Sequence, residues 1–296
     1  QRQMCIRDSC ICVPIIVFQF CKGKEFFSKE YWGYALRIGI PIVPHYLSGI
    51  ILNQGDRIMI DKMVGKTEVA LYGLAYSIGM LVQLFISGMN SALTPWMYSK
   101  IKKGDIRSMR KVLQLLSIVV VGIAVALMLI SPELVLIFGS PKYREAVYVI
   151  PPVAASVFFI FIYNILSMPQ FYYEKTQFLM AASMAAAGAN VVLNFIFIRL
   201  FGYIAAGYTT LACYMLYSVG HYIVSKRILV NEGIQENLMS PGFLVACSVF
   251  LIGASIICNL IFPYRILRYA ILLASAGLVF WKKELLLKTM ADIRKK

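Results

Sequence analysis

Charge is scarce in this chain, and negative charge most of all. Only 15% of the 296 residues are Asp, Glu, Lys or Arg, with 29 Lys and Arg against 14 Asp and Glu. Histidine is nearly absent, at His45 and His221 alone. None of the seven cysteines forms a CxxC pair, so neither a zinc site nor a disulfide framework is supported, and they read as small buried apolar residues. With so little polar surface, a chain that is 60% hydrophobic with a mean hydropathy of +0.74 would be insoluble as a globular domain. Those values suit a chain whose solvent is lipid.

Eight apolar stretches recur, at residues 34–55, 69–93, 111–131, 146–168, 177–198, 203–224, 241–261 and 266–281. Each is close to the length a helix needs to cross a bilayer. The loops between them alternate in basic content. One side holds eighteen Lys and Arg, grouped at Lys22–Lys29, Lys100–Lys111, Lys175, Lys226–Arg227 and from Lys282 onward; the other holds eight, at Arg57, Lys62, Lys66, Lys142, Arg144, Arg199, Arg265 and Arg268. The positive-inside rule makes the first side cytoplasmic and puts the C-terminus there. The same alternation accounts for the net charge of +15 without nucleic acid, because the cations are spread over loops and not gathered in one basic domain. The fold class expected is an all-α integral membrane protein with about eight spans.

The start of the chain is unlike the rest. It opens on Gln1, runs through a polar stretch to Ser9, and then has only about eleven mostly apolar residues, Cys10 to Phe20. That is half a span, and Pro14 and Gln19 do not suit a signal peptide. We read residues 1–21 as a truncated helix remnant with an artefactual start, 22–33 as a cytoplasmic linker, 34–224 as a six-helix lobe, and 225–296 as a terminal helix pair with a basic tail.

Polar residues inside the spans fall in stripes. Arg37, Pro41, His45, Ser48 and Asp56 share a face of the first span; Tyr76, Gln83, Ser87, Asn90 and Thr94 repeat this in the second. The fifth has Ser183, Asn190 and Asn194, and the sixth has Tyr203, Gly207, Thr210, Tyr214, Tyr217 and His221. Polar groups are costly in hydrocarbon, so these stripes face one another as interhelical contacts or line a hydrated cavity. Arg37, His45, Gln83, Asn90, Tyr214, Tyr217 and His221 are the candidate pathway residues. Pro41 and Pro44 each remove a helical hydrogen bond, which predicts a bend in the first span and makes them candidate hinge residues.

Asn53-Gln54-Gly55-Asp56-Arg57-Ile58, Gly65 and Glu68 to Tyr76 together resemble the "DR…G…vg.Y..A" signature of Wzx-type polysaccharide flippases, in the multidrug/oligosaccharidyl-lipid/polysaccharide exporter superfamily. Phe138-Gly139 with Lys142-Tyr143 and Ala146 resembles the family's "FG..Y..A" loop, Glu174-Lys175-Thr176 its short turn, and Asn190, Asn194, Gly202, Ala206 and Thr210 its "N…N…G..GAA.AT" helix pair. The resemblance covers residues 31–224. It implies the C-terminal lobe and terminal helix pair of a two-lobe protein of the bacterial or archaeal plasma membrane, with the N-terminal lobe missing. Such proteins turn a polyprenyl-diphosphate-linked oligosaccharide from the inner to the outer leaflet by alternating access, with membrane lipids around them and no enzymatic step. Related lipid II flippases bind sodium at positions matching Asn190, Asn194 and Thr210, with Asn194 where those proteins have a carboxylate and Asp56 as a replacement charge. Sodium or a proton is the implied coupling ion. A drug or metabolite exporter of the same superfamily would share the fold. A membrane-embedded polymerase or acyltransferase would need long outer loops or a His/Asp/Glu constellation, and the outer loops here are about 5 to 15 residues long.

Overall fold

A backbone in hydrocarbon must satisfy its own hydrogen bonds, so apolar runs of this length become helices. The computed structural model describes residues 2–23 and 27–281. The basic tail from Lys282 onward lies outside the described residues. The chain divides into two compact units, Gln1–Pro41 and Ile42–Lys296. The first contains α1 (Arg2–Gly23), which includes the expected remnant, and the beginning of α2 (Lys29–Met63). Val13, Phe18 and Tyr31 are exposed there, as apolar side chains facing lipid are.

The second unit carries the remainder of α2, then α3 (Lys66–Gly79), α4 (Leu81–Lys102), α5 (Ile106–Phe138), a 3-10 helix (Pro141–Val149), α6 (Ile150–Tyr172), α7 (Thr176–Phe201), α8 (Ile204–Asn231), α9 (Pro241–Ile261) and α10 (Arg265–Trp281). Helical segments stand at all eight expected positions. Six spans among the described residues are long and apolar enough to cross a membrane: α2, α3 with α4, α5, the 3-10 helix with α6, α7, and α9. At 28 residues α8 is long enough, but its polar stripe dilutes its hydropathy; α10 is described over 17 residues. The protein is an all-α integral membrane protein.

Packing is organised around α6. In the span that contains it, 89% of the most apolar window is buried, against 17% for α9. Val153, Ala154, Phe158 and Phe161 on α6 are fully enclosed. The second expected span is two helices, broken at Met80, whose N–H bonds back to the Tyr76 carbonyl. Gly79 sits at the break because a Cβ there would stand 2.6 Å from Val153 Cγ1 of α6. The α6–α7 turn needs a left-handed residue and uses Glu174, at φ 56°, while Gly202 at φ 73° ends α7. Helix α2 keeps helical backbone through both Pro41 and Pro44, and the boundary between the two units falls directly after Pro41.

Polar contacts fasten the ends of the second unit. Asp105 caps α5, accepting from the Ser108 N–H at 3.3 Å, and pairs with Lys100 at 2.6 Å. Arg107 reaches Glu236 at 2.5 Å and Arg110 donates to the Asn237 carbonyl at 2.7 Å, tying the start of α5 to the α8–α9 loop. The buried Arg268 of α10 forks onto both carboxylate oxygens of Glu133 on α5, at 2.8 and 2.9 Å, and onto the Leu129 carbonyl at 2.7 Å.

Candidate functional site

Two polar constellations lie within the second unit, and α2 and α8 contribute to both. The first is centred on Asp56 of α2, which is fully buried. Its carboxylate accepts from the Tyr72 hydroxyl of α3 at 2.5 Å, the Thr210 hydroxyl of α8 at 2.7 Å and the Asn194 amide of α7 at 2.5 Å. That amide also donates to Asn190 Oδ1 at 3.1 Å, and the Asn194 oxygen accepts from Thr209. Tyr72, Asn190, Asn194 and Thr210 have no exposure. The structure therefore brings together all four candidate sodium ligands, Asp56, Asn190, Asn194 and Thr210. As arranged, donors point at the carboxylate and satisfy it. A cation would need the oxygens of Asn194 and Thr210 turned inward, so this geometry is a hydrogen-bonded carboxylate and not a formed cation cage. Among the described residues, no group of three or more His, Cys, Asp or Glu could hold a metal ion.

The second constellation lines a cavity of about 460 Å³. That is the scale of a small-molecule site. One wall comes from α2, with His45, Tyr46, Asn53 and Gln54; α6 supplies Tyr163, Asn164, Ser167 and Phe171; α8 supplies Tyr214 and Tyr217. The aromatic rings form a connected cluster. Tyr163 stacks nearly parallel to Tyr214 at 6.2 Å between centroids and lies 4.5 Å from Tyr217. The Tyr217 hydroxyl meets His45 Nδ1 at 3.1 Å, and its ring meets the edge of His221 at 4.5 Å. His221 Nδ1 in turn lies 2.7 Å from the Gln170 amide nitrogen. The same Gln170 amide nitrogen also points at the Leu166 carbonyl, at 3.3 Å. Thus Tyr217 joins the two histidines, which come from antiparallel spans.

The other candidate residues fall elsewhere. Arg37 belongs to the first unit and is exposed. Gln83 and Asn90 lie on α4 and are not part of the cavity lining; Gln83 Oε1 is buried with no partner among the described residues, and the Asn90 backbone carbonyl accepts from Thr94. Sequence reasoning missed Tyr163, the hub of the ring cluster. Its signal was a stripe of Tyr163, Ser167 and Gln170, spaced four and three on an otherwise apolar helix. It also missed Tyr72 as the partner of Asp56, and Thr209 beside Thr210.

The fold and these two sites define a multi-pass helical membrane protein with a polar, aromatic cavity inside its bundle. Comparison with known proteins agrees with that class. Residues 6–102, about a third of the chain, match the family described as "Polysaccharide biosynthesis protein". Two Haemophilus influenzae proteins are similar. The "Lsg locus putative protein 1" is 28% identical over 173 residues, covering 55% of this chain and 42% of that protein. An "Uncharacterized membrane protein" is 30% identical over 166 residues, covering 52% and 39%. The chain thus spans about two fifths of the length of these curated relatives. No solved structure matches it.

Proposed function

We propose that this chain forms the C-terminal part of a flippase that moves a polyprenyl-diphosphate-linked oligosaccharide from the inner to the outer leaflet by alternating access. The observation that carries this reading is the ring-lined cavity inside a membrane bundle. A sugar ring has an apolar face that packs on Tyr163, Tyr214 or Tyr217, and hydroxyls that suit the amides of Gln54 and Asn164. The similarity of residues 6–102 to a polysaccharide-biosynthesis family supports the same direction.

Pro41 and Pro44 are the hinge candidates in this reading, and Asp56 is the candidate for coupling to sodium or a proton. Sodium coupling would require the Asn194 amide to turn over and the Tyr72 and Thr210 hydroxyls to rotate away from the carboxylate. The Lys-rich turns face the cytoplasm. With cysteines introduced in the full-length protein, an impermeant reagent applied to intact cells should label position 142 and leave position 103 untouched; the reverse pattern would invert the topology. Transport itself is tested by Tyr163→Ala in the full-length protein, which should abolish surface polysaccharide at an unchanged membrane level of the protein. Normal polysaccharide in that variant would refute a role for the cavity.

A further inference from the structure

A second cleft, of about 460 Å³, opens where the tail of α5, the 3-10 helix and the α9–α10 turn meet. It shares no lining residue with the ring-lined cavity. Gly139 ends α5 at a point where a Cβ would stand 2.8 Å from the Val135 carbonyl oxygen, and Pro141 opens the 3-10 helix. A 3-10 helix turns once every three residues, so side chains three apart eclipse and consecutive ones form adjacent ridges. Arg144 therefore stands over Val147, and Glu145 over Tyr148. All four line the cleft, which puts opposite charges side by side above apolar groups. The Tyr148 ring lies 5.9 Å from that of Phe262, at the end of α9, and Leu136 of α5 lines the same cleft while 53% exposed. Arg144 and Glu145 are exposed, and among the described residues neither takes part in an ion pair. The carboxylate on this stretch of α5, Glu133, is already taken by Arg268 at 2.8 and 2.9 Å.

We propose that this cleft binds a bilayer phospholipid whose headgroup joins a phosphate to a primary ammonium. The cleft lies where α5 and α9 end and α10 begins, the level of a bilayer's headgroups. A simple anion would satisfy Arg144 and be repelled by Glu145, and a simple cation would meet the reverse. A zwitterion satisfies both: the Arg144 fork takes phosphoryl oxygens, and Glu145 accepts from the ammonium. A primary ammonium carries three N–H donors for that carboxylate, whereas a quaternary choline carries none. The apolar glycerol and first acyl carbons pack on Leu136, Tyr148 and Phe262, which would otherwise leave apolar surface at the water boundary. Two solvated charges alone would need neither the opposite signs on adjacent ridges nor the apolar cleft beneath them.

The test uses purified full-length protein in neutral detergent, with lipid retention read by native mass spectrometry as phosphatidylethanolamine, phosphatidylcholine and phosphatidylglycerol are titrated in turn. Wild type should bind phosphatidylethanolamine roughly fivefold more tightly than either of the others, the scale of one exposed ion pair. Glu145→Gln should bring phosphatidylethanolamine down to the level of phosphatidylcholine. Arg144→Gln should weaken all three lipids together, because each carries the phosphate. Lys142→Gln removes a neighbouring cation that does not line the cleft and should change none of them. Thermal unfolding of the lipid-free variants is read in parallel and should match wild type, since both charged side chains are exposed. Equal retention of the three lipids by wild type, or no retention, would overturn the proposal. So would phosphatidylethanolamine binding that survives unchanged in folded Arg144→Gln and Glu145→Gln. A preference for phosphatidylglycerol, lost in Arg144→Gln alone, would make the cleft a plain anion site and overturn it as well.

Discussion

The Asp56 cluster and the Tyr163 cavity are built from the same kinds of residue and share α2 and α8, yet their polar groups are used in opposite ways. Around Asp56 the carboxylate takes three side-chain donors and the Asn194 oxygen takes a fourth, while Asn190 Nδ2, also buried, has no partner among the described residues. In the cavity, eleven residues back along α2, His45 makes one side-chain hydrogen bond, with Tyr217, beside the rings of Tyr46 and Phe171, while among the described residues Asn164 makes no side-chain hydrogen bond and Gln54 only one, to Arg57. Residue type does not separate a structural polar site from a receptive one. The number of internal partners does: a saturated group holds helices together, and an unsaturated group is left to bind something else.

The largest effect should come from breaking the saturated side. Asp56→Ala removes the acceptor of three buried donors at once and should lower stability by on the order of 3 kcal/mol, read as a fall in the unfolding midpoint and in membrane yield. Asp56→Asn should be milder, since an amide oxygen still accepts. If the Ala variant unfolds like wild type, the cluster does not fasten α2, α3, α7 and α8. An intermediate effect is expected from Tyr163→Ala, where a half-buried ring is lost: about tenfold in saccharide affinity, with a smaller change in unfolding than Asp56→Ala gives. The smallest effect on folding belongs to Asn164→Ala, within about 0.5 kcal/mol, because no internal partner is orphaned. Its saccharide binding should nevertheless weaken. A destabilised Asn164 variant with normal binding would reverse the distinction between the two sites.

Much of the fold was legible because span length and apolar composition are local properties. Asn190 and Asn194 could be read as one stripe, since four residues make a helical turn. The break at Met80 could not be read. No Pro or Asn marks it, and its cause is the approach of Val153 to Gly79, a tertiary contact. Nor could the sequence show that Tyr72 would meet Asp56 across the α2–α3 turn, although both lie in the stretch that resembles the flippase signature. Tyr163 escaped notice because α6 is so apolar that its few polar residues look incidental, and its value comes from Tyr214 and Tyr217 on α8. His45 and His221 were recognisable as the sole histidines, but their junction through Tyr217 depends on the antiparallel packing of two helices distant in sequence.

Cross-linking tests the central claim, that the cavity receives the saccharide, most directly. A photoreactive amino acid placed at position 164, on the cavity wall, is compared in the full-length protein with one at position 184, whose native Met184 is 52% exposed on the outside of α7. With radiolabelled lipid-linked oligosaccharide present in the membrane, irradiation should attach the glycan at position 164 and not at position 184. Glycan attachment at 184 with none at 164 would contradict the account.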